Sequence, residues 1–184
     1  MGKRSNFDRV PRDYYPTPYE AVVPLKDHLY GGPFSYWEPC AGDGRLIRHL
    51  SVLAPRAQCI MATDVEPRDE GVDQLDLLAP FDLNPKMEKE IAVIITNPPW
   101  DRKLLHPMIE KLCDIAPTWL LFDADWMHTK QAAPYMGYLS KVVSVGRVKW
   151  IEGSKMTGKE NCCWYLFDRW GTLGKTVFYG RTFE

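Results

Sequence analysis

The sequence predicts an α/β protein built on a doubly wound, mostly parallel sheet with an antiparallel edge. Three observations predict it. Short apolar runs alternate with helix-periodic segments through most of the chain. The last part turns mainly strand-like. The polar and turn-forming residues collect directly after the apolar runs, where such sheets bind their ligands.

Taken in order, the first dozen residues read as a flexible arm, and 13–184 as one domain. "PYEAVVPLKDHL" reads as a helix opening at Pro18. "FSYWEP" is a strand and "GDG" the turn after it. "RLIRHLSVLA" carries Leu46, Leu50 and Leu53 at helical spacing, with Ile47 beside them. "AQCIMATD" and "IAVIIT" are buried strands. "RKLLHPMIEKLCDI" is helical by period, with Pro107 a possible kink. "TWLLFDAD", "VVSVGRVKWI", "NCCWYLF" and "KTVFYG" are strand-like, and the polar "EGSKMTGKE" joins the second of these to the third.

Composition narrows the function. The 184 residues are 45% hydrophobic and 26% charged, as in a soluble globular protein. No apolar run approaches a membrane span, and "MGKRSNFDRVPRD" has no signal-peptide core, so a cytosolic protein is expected. The five cysteines are odd in number, lack a CxxC pair and include the neighbours Cys162 and Cys163. Neither a disulfide framework nor a zinc site is expected, and the four histidines show no ligand spacing. Net charge is −1 but uneven: 64–90 is acid-rich, and the chain from Lys130 onward is basic. That asymmetry suits a cationic or neutral ligand at one end and a polyanion at the other; chance clustering on a solvated surface is the alternative.

The residues after the strands carry the chemistry. In "EPCAGDG", Gly42 and Gly44 flank Asp43, which allows a sharp turn and a close approach to a ligand. A GxG turn alone is common. Glu38, four residues earlier, would repel a phosphate but suit an amino group or a sulfonium. Asp64 ends the next strand, where an acid can accept both ribose hydroxyls or simply cap a turn. Asp76 in "DQLDLLAP" could accept from an adenine amino group with Leu77 against the ring, or be a loop acid. In "NPPW", the Asn97 side chain and the Pro98 carbonyl offer two rigid acceptors for one exocyclic amine. Pulling that amine toward tetrahedral geometry frees its ring-delocalised lone pair. Trp100 could then stack on the heterocycle. This chemistry needs neither a strong base nor a metal.

These motifs, in this order, resemble the class I S-adenosylmethionine-dependent amino methyltransferases, specifically the adenine-N6 DNA methyltransferases of short phage and prophage type. The resemblance runs from "YYPTP" through "EPCAGDG", "TDVEP", "LDLL", "NPPW" and "FDADWMHT" to "ENCCWYLFD". It implies a Rossmann-like, mostly parallel seven-stranded sheet with an antiparallel C-terminal strand. It implies S-adenosyl-L-methionine as cofactor and a flipped-out DNA adenine as target. Tyr15, Thr17 and Pro18 would meet the methionine carboxylate end, and Glu38, Pro39, Ala41, Gly42 and Gly44 the rest of the methionine. Asp64 would bind the ribose, Val65 would pack on the adenine, and Asp76 and Leu77 would hold it. Asn97, Pro98, Pro99 and Trp100 would form the catalytic clamp. Two departures stand out. The family usually carries Tyr or Phe where this chain has Trp100, and too little chain follows for a separate target-recognition domain. RNA adenine, a protein glutamine amide, or a non-catalytic binding subunit are the alternatives.

Three further candidates face the substrate side. Lys155 and Lys159, in the "EGSKMTGKEN" loop, could touch phosphates or merely decorate a hairpin. Trp126 could wall the target pocket or pack in the core. Asp123 and Asp125 would share a strand face, but the chemistry has no need of them. Cys40 reads as a small packed side chain rather than a nucleophile.

Overall fold

The computed structural model describes residues 14–153, 157–171 and 175–181. The proposed N-terminal arm and Lys155 lie outside them. The chain opens with α1 (Tyr19–Val22), which tightens into a 3-10 turn over Val23–His28. The expected single helix changes pitch there because Pro24 has no N–H to donate and its ring crowds the preceding turn. Then follow β1 (Phe34–Glu38), α2 (Arg45–Leu53), β2 (Ala57–Asp64), β3 (Asp73–Gln74), α3 (Pro85–Glu90), β4 (Val93–Thr96) and α4 (Arg102–Ile115). After β5 (Thr118–Asp123) come two 3-10 stretches, then β6 (Leu139–Gly146), β7 (Cys162–Phe167) and β8 (Val177–Tyr179). α4 runs unbroken through Pro107.

The eight strands lie in the order β3-β2-β1-β4-β5-β7-β6-β8. β3, β2, β1, β4 and β5 are parallel, and β7 enters antiparallel between β5 and β6. The expected antiparallel C-terminal strand is therefore present. The expected count of seven becomes eight because β8 adds parallel to β6 at the far edge. Strand order reverses between β1 and β4, which makes the carboxyl ends of those two strands the place for a ligand.

Alternation along the strands builds two cores. Trp37, Ile94, Leu120, Phe122 and Tyr165 face one side, with Leu105, Ile109 and Leu112 of α4. Tyr36, Ile95, Trp119, Leu121 and Trp164 face the other, with Ala21, Leu25, Leu46 and Leu50 of α1, its 3-10 extension and α2. The two-residue period and cover on both faces explain why every residue of β4 and β7 is buried. The Trp164 indole donates to the Ala21 carbonyl at 2.7 Å and ties the N-terminal helix to the sheet.

Two strand readings need correction. β6 stops at Gly146 rather than running to Ile151, because Gly146 takes φ 89° beside a register shift. β5 stops at Asp123, whose carboxylate accepts from the Asp125 backbone N–H at 2.9 Å and starts a 3-10 turn. Asp123 and Asp125 are thus a capping residue and its turn, not a pair on one strand face. Among the described residues, no helix is long and apolar enough to cross a membrane.

Candidate active site

A cavity of about 330 Å³ opens at the carboxyl ends of β1, β2 and β4. Its size is that of a small-molecule site. The segment after β1 supplies Pro39, Cys40, Ala41, Gly42 and Asp43. Gly42 and Gly44 have φ 52° and 72°, values that side chains disfavour. The backbone N–H of Gly42 donates to Asp64 Oδ2 at 2.8 Å, so the glycine turn and the end of β2 hold each other. Asp64 Oδ1 accepts from the Glu66 N–H at 2.8 Å. Each oxygen keeps a second lone pair for a ligand hydroxyl.

Leu75, Leu77, Leu78, Leu104 and Met108 give the cavity lining an apolar part. Val65 and Asp76 border it. Asp76 Oδ1 accepts from the Leu78 N–H at 2.8 Å, which shapes the loop while leaving its other oxygen free of that turn. Lys111 of α4 donates to the Leu77 and Ala79 carbonyls, each at 2.8 Å, and pins this loop against the helix. Polar residues of the lining include Tyr15, Thr17, Asp43 and Asn97.

Glu38 sits behind the glycine turn, fully buried and outside the cavity lining. Its Oε1 accepts from the Thr96 hydroxyl and from the Cys40 N–H at 3.3 Å. Its Oε2 has no partner. Burial, with the nearby Asp64 charge adding to it, pushes the carboxyl up to about 8. Only its ionised form would favour a cationic ligand in the neighbouring cavity and disfavour an anionic one. Burial also raises the Cys40 thiol well above its ordinary value, which removes it as a nucleophile near neutrality.

Asn97 stands at the end of β4 with its amide orientation set. Nδ2 donates to the Tyr15 carbonyl at 3.1 Å, which leaves Oδ1 as the acceptor. The Trp100 indole N–H bridges the Leu121 carbonyl at 3.2 Å and Asn97 Oδ1 at 3.4 Å. Trp100 is half-buried, packs against both cores and meets Trp150 edge-on at 5.4 Å. Pro99 lines the cavity and Pro98 is buried behind it.

Not every expected residue lies here. Pro18 lines a neighbouring cleft instead. Gly44, Trp100 and Lys159 are described but line neither cavity. Trp126 is 1% exposed, inside a cluster of Phe122, Tyr135, Tyr165 and Phe167, with its indole N–H donating to His106 Nε2 at 3.0 Å. It therefore presents no face to a ligand, because the 3-10 turn after Asp123 rolls it into the core. Trp126→Phe is expected to lower unfolding free energy by about 1–2 kcal/mol through the lost hydrogen bond, with ligand affinity unchanged. Denaturant unfolding alongside calorimetry checks both. Among the described residues, no group of His, Cys, Asp or Glu is arranged to hold a metal ion.

The sequence reading passed over Tyr14 and Arg68. Tyr14 lies across Gly42, and the Arg68 guanidinium stacks on its ring at 4.0 Å, both at the cavity mouth. A Cβ on Gly42 would come within 2.7 Å of the Tyr14 ring. Gly42→Ala is expected to lose about 1–3 kcal/mol of stability from the φ strain and this clash. Tyr14→Ala should recover the clash part only, which thermal unfolding of the single and double variants would resolve.

No protein-family model and no curated protein matches the chain. Solved structures do. A type I restriction-modification methyltransferase subunit of Streptococcus thermophilus superposes with TM-score 0.61 at 10% identity, over 90% of this chain and 47% of that one. The fold is that of the class I S-adenosylmethionine-dependent methyltransferases. A candidate member of that class from Listeria monocytogenes gives TM-score 0.56 at 11% identity, over 87% and 62% of the two chains. A dimethyladenosine transferase of Plasmodium falciparum gives 0.55 at 14%, over 84% and 62%. The chain thus spans less than two thirds of each of these structures. In this methyltransferase fold the glycine turn, Asp64 and Asn97 stand at the carboxyl ends of the adjacent strands β1, β2 and β4.

Proposed function

We propose that the protein transfers a methyl group from S-adenosyl-L-methionine to the exocyclic N6 of adenine in DNA. The observation that carries this reading is Asn97. Its amide is turned by the Tyr15 carbonyl so that Oδ1 is the acceptor of a residue that lines the cavity. Oδ1 and the Pro98 carbonyl would take the two N–H groups of one amine. Pro99 stiffens the loop, and neither proline offers a competing donor.

The cavity fits the cofactor. Asp64 would accept from the ribose, and the apolar wall of Val65, Leu75, Leu77, Leu78, Leu104 and Met108 would take its adenine. Asp64 favours a ligand carrying sulfonium and ammonium charge, an ionised Glu38 behind the turn would add to that preference, and Tyr15 and Thr17 of the lining would meet the methionine. When bound, S-adenosylmethionine supplies an electrophilic methyl on sulfur. The chain's part is to hold the amine in line with it and to exclude water. Within a duplex the base must leave the stack, at about a few kcal/mol.

A type I restriction-modification methyltransferase subunit among the structural neighbours supports a nucleic-acid acceptor, and a dimethyladenosine transferase supports adenine as its base. Labelled-methyl transfer to DNA, RNA and protein, followed by base-resolved mapping, tests the reading. Label in DNA at adenine N6 is the expected result. Label confined to RNA redirects the substrate, and label confined to protein overturns the proposal. Failure to bind S-adenosylmethionine in calorimetry would leave a non-catalytic module.

A further inference from the structure

Beside the cofactor cavity lies a second cleft, of about 440 Å³, formed by the start of α1, one face of α2 and the segment after β6. Arg45 lines both cavities, so the two share a wall. At its other side Trp150 lines the cleft and abuts Trp100 of the catalytic tetrapeptide. The cleft therefore borders the cofactor cavity through Arg45 and the proposed clamp through Trp150.

Its lining mixes cations with flat rings. Arg45, Arg48 and Lys149 face it, against the carboxylates of Glu20 and Glu152. Glu20 is spent on the Lys149 backbone N–H at 3.0 Å, which fastens the post-β6 segment to α1. Glu152 stands 3.6 Å from Arg45 at the solvent rim. Arg48 is held in place rather than buried. Its Nη1 donates to the Asp43 carbonyl at 2.7 Å and lies 3.6 Å from Asp69, yet 57% of its side chain stays exposed. Tyr19 is 45% exposed and packs edge-on against His49 at 5.3 Å. Burial and the nearby Arg45 hold His49 below its ordinary pKa, so it stands there as a neutral ring. A pinned but wet Arg48 and an exposed Lys149, beside the exposed Tyr19 and the half-buried Trp150, suit an alternation of phosphate and base.

We infer that this cleft binds the nucleotide flanking the target on the same strand, its phosphate on Arg48 and Lys149 and its base against Trp150 and Tyr19. The inference rests on the nucleic-acid reading above and assigns that substrate a second subsite. A peptide strand is the competing occupant, and it would not need the cations.

The test uses the full chain, S-adenosylhomocysteine and a short adenine-containing single-stranded oligonucleotide, read by fluorescence anisotropy over a salt series. Arg48→Gln/Lys149→Gln should weaken oligonucleotide binding at least about ten-fold and lower the salt slope by about one. Trp150→Ala should weaken it by about ten-fold at unchanged slope. S-adenosylhomocysteine affinity and the melting temperature report whether each variant is folded, and both should hold in the glutamine pair. Lys149→Gln alone, at an exposed position, repeats the slope test if the pair unfolds. Unchanged oligonucleotide affinity and slope, with wild-type methylation intact, overturns the subsite alone. A wild-type chain that binds a glutamine-containing peptide and no oligonucleotide overturns the function reading as well.

Discussion

Asn97→Ala is expected to cut methyl transfer by a factor on the order of 10²–10³ while leaving S-adenosylmethionine affinity within about three-fold. The side chain meets the cavity through one acceptor, and its other end is occupied by the Tyr15 carbonyl. Removing it deletes half of the proposed grip on the amine and none of the adenosine contacts. Asn97→Asp separates geometry from charge. It keeps an acceptor but turns the Tyr15 contact into a repulsion between two oxygens, so a loss nearly as large is expected. Single-turnover kinetics with saturating cofactor measure the effect. An alanine variant with full activity would remove the amine-gripping role and, with it, the main support for adenine N6.

Glu38→Gln carries the second large effect, and its sign depends on pH. The buried carboxyl is raised from 4.5 to about 8 by desolvation. In the free protein it is therefore neutral near pH 7, whereas in the unfolded chain it is ionised. A raised acid of this kind contributes stability that is complete below the unfolded pKa and is lost as pH rises to about 8. Each pKa unit is worth about 1.36 kcal/mol, so the span is at most about 5 kcal/mol. The glutamine variant should lose that slope and be the more stable protein at pH 8.5. Denaturant midpoints from pH 5 to 9 measure it, and parallel slopes in both proteins would dismiss a buried, protonated Glu38. A cationic ligand reverses the preference and favours the charged form. Cofactor binding by the wild type should then release a proton, visible as a buffer-dependent calorimetric enthalpy, and the glutamine variant should release none.

The places of the glycine turn, Asp64 and Asn97 were legible because each follows an apolar run, and the run ends where the strand ends. Local chemistry names such residues, since a positive φ or a double acceptor needs particular side chains. Trp126 was not legible in the same way. "FDADW" reads as strand plus aromatic, but Asp123 accepts from the Asp125 N–H and ends the strand one residue after Phe122. That single capping bond turns the Trp from the site into the core. Lys111 and Tyr14 were invisible for another reason: their partners are the Leu77 and Ala79 carbonyls and the Arg68 guanidinium, all distant in sequence.

The sequence by itself determined the alternating architecture, the antiparallel return at the C-terminal end and the identity of the residues at the strand ends, because strand period, turn chemistry and apolar runs are local properties. Only the tertiary structure decided how those residues are used. It joined Asp64 to the glycine turn, set the Asn97 amide with a carbonyl from 82 residues away, and left one oxygen of Glu38 buried without a partner. It also brought Trp150 against Trp100 and opened the cationic cleft beside them. Those arrangements depend on which strands become neighbours. That choice is made by the packing of two cores on one sheet, which no short stretch of sequence contains.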